Sequence, residues 1–465
     1  MTHELAPAVE EFDPNVKRPR RLRVLMAHWD GSGNIPPQRA LARELSRRGH
    51  EVHVLSHDSL AEGVIADGSR VHALTSAPQW NPAEPRSSEE EGAFVVQNVA
   101  GSARFAADFL ALQDALRPDI CLIDAMLIST LNVAIERELP FAAINHMALI
   151  REGGCTGFLS SITAALPGPA AGSSFFDLLD RAPLVLATSY PQFGTRPDTA
   201  SHIHFVGPIR EQVAYEPWPR RSADRPFVLV SLSSMFQGQE STLRNICEAL
   251  SVLPIEVLVT TGRGIAPDAL PVSVDLEARS FVPHDAVLPS VDLVVTHAGF
   301  GTLMYSAGAG KPTLCLPNGR DQNDNAARVE ALGLGRALPP DAAPAAIGSA
   351  VMDMLGDDAL RAASRSFASR VSRFGELGRA ADLIERAVSS LCGEGQSRLR
   401  RVKPLRARSK NRGATSISEN PVRHSDVRMK TKETDDARHC VREGYRRQRE
   451  GRSPHDRAAR GDGQI

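Results

Sequence analysis

No C-x-x-C pair occurs among the six cysteines, Cys121, Cys155, Cys247, Cys315, Cys392 and Cys440. Neither a zinc site nor a disulfide framework is therefore indicated, and a reducing compartment, the cytoplasm, is the expected setting. The polar N-terminal stretch 1–21 has no apolar core of the kind a secretory leader needs. Long apolar runs are missing too. The most apolar stretch, 120–150, is interrupted by Glu136-Arg137-Glu138, so no membrane span is expected. There is no short internal repeat.

What is present is ordinary for a soluble globular chain, with 42% hydrophobic and 23% charged residues. A length of 465 residues leads one to expect two or three domains and room for two substantial cores. Charge is unevenly spread. Residues 393–465 hold about 20 Lys+Arg against about 10 Asp+Glu, roughly +10, which leaves about −11 on the rest of a chain whose net charge is −1. So acidic a globular part argues against nucleic acid as a specific partner. The basic stretch has few aliphatics and no periodicity, and is expected to be a disordered tail.

Periodicity gives a run of β-α units. Leu22-Arg23-Val24-Leu25-Met26 reads as a first strand, 38–48 as a helix stopped by Gly49, and Glu51-Val52-His53-Val54-Leu55 as the next strand. Such a unit is expected to be right-handed and parallel. Further strands are expected at 119–123, ending at Asp124, and at 141–144, 184–187 and 204–206, with one helix over 93–116. The segment 78–91 reads as a loop, and the Gly- and Pro-rich segment 152–172 as another. Prolines at 208, 217, 219 and 226 mark a linker, after which strands at 227–231, 256–260, 292–296 and 313–316 alternate with helices at 242–253, 301–309 and 323–332. A final helical stretch covers 363–390. The fold class is α/β, with two doubly wound, Rossmann-like domains facing a cleft. The expected division is a flexible N-terminus at 1–20, a first domain at 21–210, a linker at 211–225, a second domain at 226–392 and the tail at 393–465.

Doubly wound folds bind ligands outside the carboxyl ends of their strands. In the second domain that place reads Thr296-His297-Ala298-Gly299-Phe300-Gly301-Thr302. Gly299 and Gly301 let the backbone approach a ligand, and Gly301 and Thr302 open a helix whose free N–H groups suit a phosphate. His297 can add a hydrogen bond. Asp321-Gln322 offers acceptors and donors on one loop, as a polyol requires. Ser231-Leu232-Ser233-Ser234 places hydroxyls at another strand end, and Phe281 before Val282-Pro283-His284 could stack on a base. Gly310-Lys311 lacks the Ser/Thr and the first glycine of a P-loop, and Gly31-Ser32-Gly33 lacks the third glycine of a dinucleotide fingerprint.

These segments, in this order, resemble the family-1 nucleotide-sugar glycosyltransferases of the GT-B fold, in particular the bacterial branch acting on macrolides and other natural products. The likeness is strongest over 281–335, which includes Gly310-Lys311-Pro312, Arg320-Asp321-Gln322-Asn323-Asp324-Asn325-Ala326 and Leu332-Gly333-Leu334-Gly335; it extends weakly over 22–387 and does not reach the tail. The resemblance implies a UDP- or TDP-sugar as co-substrate and no separate cofactor. His297, Gly301, Thr302, Ser233 and Ser234 would lie at the diphosphate, Phe281 and Val282 at the base, and Asp321 and Gln322 at the sugar, while His284 falls where plant relatives carry Gln. No Asp-x-Asp occurs, so no metal ligands are expected. The helix ending near residue 391 would pack back on the first domain. A homodimer is compatible with the sequence.

On the acceptor side the family's pattern breaks. Its loop after the first strand runs Gly-His-x-x-Pro, and the His, steadied by a buried Asp, is the base of an inverting displacement. Aligning on Pro37 puts Gly33 on the glycine and Asn34 on the His position. An amide is no base at neutral pH. Asp124 stands where the family's Asp ends its strand. Three readings stay open: Asp124 takes the proton itself, His28 or His146 at neighbouring strand ends does so, or the reaction needs little help. The acceptor is expected to be a small, apolar molecule held by the variable loops 78–91 and 151–175. The rival functions are an inert sugar-nucleotide-binding relative or auxiliary partner, which Asn34 keeps in play, and a nucleotide-sugar epimerase, against which Arg320-Asp321-Gln322-Asn323 argues. His50, His53 and His57 read as surface or core-edge residues.

Overall fold

The first unit begins with β1 (Arg23–Ala27), α1 (Ile35–Arg47), β2 (Glu51–Ser56), α2 (Ala61–Ala66), β3 (Arg70–Ala73), α3 (Ser88–Val95), α4 (Ala103–Leu116) and β4 (Ile120–Asp124). It continues through α5 (Ile128–Glu136), β5 (Phe141–Asn145), α6 (Gly154–Ala165), α7 (Phe175–Leu179), β6 (Leu184–Ala187) and β7 (Ile203–Phe205). The second unit runs β8 (Phe227–Ser231), α8 (Glu240–Ser251), β9 (Glu256–Thr260), β10 (Leu276–Arg279), α9 (His284–Val287), β11 (Leu293–Thr296) and α10 (Phe300–Gly308). It ends with β12 (Thr313–Cys315), α11 (Gln322–Ala331), β13 (Gly335–Ala337), α12 (Pro344–Gly356), α13 (Asp358–Val371) and α14 (Leu377–Gly393). This computed structural model describes residues 21–393 except 32, 82–83, 85–86, 152, 195–200, 211–214, 235–236, 272, 274 and 376. The expectations for 1–20, for 394–465 and for the start of the linker lie outside the described residues.

Both sheets are parallel, with strand orders β3-β2-β1-β4-β5-β6-β7 and β10-β9-β8-β11-β12-β13. Strands such as Ile120–Asp124 are buried at every position, which is why they read as unbroken apolar runs. Each order reverses once, between β1 and β4 in the first sheet and between β8 and β11 in the second. Such a switch point opens a crevice at the carboxyl ends of its two strands. Ala27 and Asp124 therefore border one crevice, and Ser231 and Thr296 the other.

α14 leaves the second unit and returns to the first. Ala380, Ala381, Ile384 and Val388 are buried with Leu41 and Leu45 of α1 in one core cluster. Around that apolar seam Arg48 pairs with Asp382 at 2.6 Å, and His50 with Glu385 at 3.0 Å. The crossing starts at Gly375, which has φ +91° and donates its N–H to the Val206 carbonyl at 2.7 Å. That glycine region divides the single stretch expected at 363–390 into α13 and α14.

Four other expectations are corrected. α1 begins at Ile35, because Pro36 and Pro37 fit a helix's first turn, where their missing N–H groups cost nothing. The helix expected over 93–116 is broken by a π turn at Val96–Ala100 and restarts where Ser102 accepts the Phe105 N–H at 3.1 Å. Much of 152–172 is the helix α6 rather than a loop. Two of its hydroxyls are satisfied internally, Thr163 Oγ1 donating to the Leu159 carbonyl at 2.8 Å and Ser161 Oγ to that of Gly157 at 3.1 Å. His50, His53 and His57, expected at the surface or the core edge, are all buried. His53 Nδ1 is hydrogen-bonded to His72 Nε2 at 2.8 Å, and His57 Nδ1 accepts the Asp30 N–H at 3.3 Å.

Candidate active site

One cavity of about 2310 Å³ is lined by residues from both switch points. Typical small-molecule sites occupy roughly 300–1,000 Å³, so there is room for two substrates. The two crevices face each other closely: a Cβ built on Gly301 would lie 3.8 Å from the Gly33 carbonyl oxygen.

On the second unit's side, α10 starts with Gly299 at its N-cap, so the N–H groups of its first turn open toward the cavity, which Gly299, Gly301 and Thr302 line. Ala298 is held at φ +65°, a left-handed conformation unusual for a residue with a side chain. Its carbonyl accepts a 3.1 Å hydrogen bond from Asn325 Nδ2, which fixes the turn. The His297 ring leans over Gly299 so closely that a Cβ there would fall 2.5 Å from Nε2. Burial lowers the His297 pKa to about 4, opposed by a hydrogen bond to the Ser231 backbone. The ring is neutral at pH 7, and a bound anion would raise that value.

Ser233 and Ser234 line the cavity beside this turn. Ser233 Oγ accepts a 2.8 Å hydrogen bond from Gln237 Nε2, and Gln237 Oε1 accepts one from Gln322 Nε2 at 2.9 Å. Gln322 Oε1 accepts the Asn318 N–H at 2.7 Å, so the buried Gln322 amide is held at both ends. Asp321 precedes α11 and accepts a 2.9 Å hydrogen bond from Asn325 Nδ2; burial pushes its pKa up. Phe281 is 76% exposed and lines the cavity, as does Val282, whose side chain also packs in the core. His284 faces inward, its Nε2 bonded to Ser231 Oγ at 3.1 Å, with burial lowering its pKa.

Across the gap, Asp124 is 1% exposed and borders the cavity. Its Oδ2 accepts from Asn34 Nδ2 at 2.6 Å and from Gln38 Nε2 at 2.7 Å, and its Oδ1 from the Met126 N–H at 2.9 Å. Asn34 and Gln38 stand one turn apart at the start of α1, which brings both amides to one face. Burial raises the Asp124 pKa to about 6 against the pull of those three donors. His146 also lines the cavity, and its Nδ1 is bonded to Thr188 Oγ1 at 3.1 Å. His28 is not among the lining residues and is bonded to Ser56 Oγ at 3.2 Å. Burial, aided by a neighbouring histidine, lowers the pKa of each ring to about 3.

Beyond Asp124 the wall is apolar, with Trp29, Ile35, Val95, Met126, Phe158, Ile162 and Leu166. Arg39, Arg43 and Glu91, which border it, are in ion pairs. Arg39 and Arg43 pair with Asp67, and Glu91 pairs with Arg320. Part of the segment 78–91, expected on this side, lies outside the described residues, whereas α6 supplies a full flank. Gln38, Gln237 and Asn325 were not anticipated. Gln38 meets Asp124, Gln237 meets Gln322 and Asn325 meets the Ala298 carbonyl only in the fold, although the one-turn spacings of Gln38 from Asn34, Gln237 from Ser233 and Asn325 from Asp321 were visible in the sequence.

Residues 244–373 match the model of the erythromycin biosynthesis protein CIII-like C-terminal domain. Demethyllactenocin mycarosyltransferase of Streptomyces fradiae is 27% identical over 405 residues, covering 77% of this chain and 85% of its own. The matched domain and this relative support a family-1 glycosyltransferase of the GT-B fold. This glycosyltransferase is also 25% identical to 4'-demethylrebeccamycin synthase of Lentzea aerocolonigenes, over 67% of the chain and 86% of that protein. The crystal structure of the calicheamicin glycosyltransferase CalG4 covers 80% of the chain and 99% of its own, with 23% identity and a TM-score of 0.66, and so shares the fold.

Proposed function

We propose that this glycosyltransferase moves a sugar from a UDP- or TDP-sugar to a hydroxyl of an apolar, uncharged natural product, in one inverting, metal-independent displacement with Asp124 as proton acceptor. The observation that carries the reading is the facing of the two switch points, which sets Asp124 opposite the N-terminus of α10 within one cavity. The acceptor oxygen attacks the anomeric carbon while its proton passes to Asp124, and the bond from that carbon to the phosphate oxygen breaks. The electron pair leaves with the nucleoside diphosphate, whose charge is met by the first-turn N–H groups of α10 and by His297.

Asp124 is favoured over the histidines on two grounds. It borders the cavity, which His28 does not, and its pKa of about 6 suits a base at neutral pH better than the values of about 3 for His28 and His146. The apolar wall and its paired charges support a neutral acceptor. Relatives named for mycarosyl transfer to demethyllactenocin and for making 4'-demethylrebeccamycin support a natural product.

The test is incubation with UDP- and TDP-sugars and a panel of macrolide and phenolic acceptors, with the product's anomeric configuration read by NMR. A new glycoside of inverted configuration supports the proposal. A retained configuration would remove the single displacement, and donor binding without product from any acceptor would favour the inert alternative.

A further inference from the structure

The loop that carries Asp321 and Gln322 also holds the opposite unit on both sides of that pair. The Asp324 carboxylate accepts the N–H of Gly154 at 3.1 Å and that of Cys155 at 2.9 Å, the first two residues of α6. Those N–H groups have no partner inside their own helix, and the positive end of the helix favours a carboxylate there. The approach depends on a missing side chain, because a Cβ on Gly153 would come within 2.7 Å of Asp324 Oδ2. Arg320, on the other side, pairs with Glu91 of α3. It does so from a left-handed backbone at φ +56°, a conformation that costs free energy for a residue with a side chain. α3 and α6 flank the apolar part of the cavity, contributing Val95 and Phe158 among others.

We infer that Arg320 and Asp324 are positioning residues that couple the sugar subsite to the acceptor wall, so that a bound donor sugar sets α3 and α6 in the arrangement that receives the acceptor. The inference rests on the assignment of Asp321 and Gln322 to the donor sugar. The physical link is short. Gln322 and Asp324 share the first turn of α11, so contacts that fix that turn on a sugar also fix the Asp324 carboxylate against α6. Neither residue touches reacting atoms; each acts through the helix it holds.

The test is amide hydrogen exchange of the α3 and α6 segments in the full chain, with and without UDP-glucose and TDP-glucose, together with calorimetric affinities for UDP and TDP. In the wild type, the nucleotide sugar that binds slows exchange at 154–157 by about tenfold, the factor that roughly one such capping interaction supplies. Asp324→Ala removes that donor-induced protection and leaves the nucleoside diphosphate affinity within about threefold, and Asp324→Asn, which keeps one acceptor oxygen, falls between. Arg320→Glu loses protection over α3, and the charge-swapped double variant Glu91→Arg/Arg320→Glu regains it. Unchanged donor-induced protection in Asp324→Ala overturns the coupling while leaving the donor site standing. A wild type that binds neither nucleotide sugar overturns the donor assignment, and the coupling with it.

Discussion

Asn34 Nδ2 lies 2.6 Å from Asp124 Oδ2, so the residue at the family's histidine position hydrogen-bonds the carboxylate it would otherwise have relied on. With Gln38 it forms an amide clamp that keeps a buried carboxylate ionisable near neutral pH. A histidine would take the acceptor proton and leave the carboxylate to steady it. Here the carboxylate borders the cavity itself.

The pH dependence of turnover follows. As the proposed base, Asp124 must be ionised to take a proton, and its pKa is about 6, so kcat/KM is expected to fall below that pH with one acid limb near it. Gln38→Ala removes a donor that lowers the pKa, and the limb moves to higher pH. Asp124→Asn costs at least about 100-fold in kcat. An acid limb that stays in place in Gln38→Ala would show that some other group titrates.

Stability moves the other way at the same residue. The folded-state pKa of about 6 lies above the ordinary 3.8, so Asp124 contributes stability below about pH 3.8 that is lost as pH rises through 6. Asp124→Asn is therefore expected to be more stable than wild type at pH 7.5 by about 1–3 kcal/mol, with the gap closing near pH 4. Urea unfolding at the two pH values measures it, and a variant less stable at pH 7.5 contradicts the account.

His297→Ala should weaken UDP or TDP binding by at least about tenfold, the usual scale for one lost hydrogen bond to a charged group. Isothermal titration gives the number. An unchanged affinity would mean that the diphosphate lies elsewhere.

Gly299→Ala should do similar damage indirectly. The new methyl would collide with the His297 ring, which must turn away from the cavity or force the turn to shift. Such overpacking costs about 1–3 kcal/mol. A melting curve and the same titration separate loss of fold from loss of binding.

Much of this was legible in the sequence because the decisive signals are local. Gly299 and Gly301 after an apolar strand announce a turn into a helix, and counting from Pro37 places Asn34. α6 was not legible for a physical reason. Its glycines and hydroxyl residues look like a loop, and the partner of its first N–H groups is 170 residues away in Asp324. Gln38 and Gln237 were passed over because an amide declares no role until a carboxylate or a second amide is set against it.

The return of α14 onto the first unit has a consequence for exchanging parts between relatives. A graft that swaps donor halves at the linker would bring a foreign last helix, and Ala380, Ala381, Ile384 and Val388 would meet an α1 they were not selected to fit. Arg48 and His50 would lose Asp382 and Glu385 at the same stroke. A hybrid that keeps its fold should need two joints, one in the linker and a second at Gly375, so that the acceptor half keeps its own closing helix.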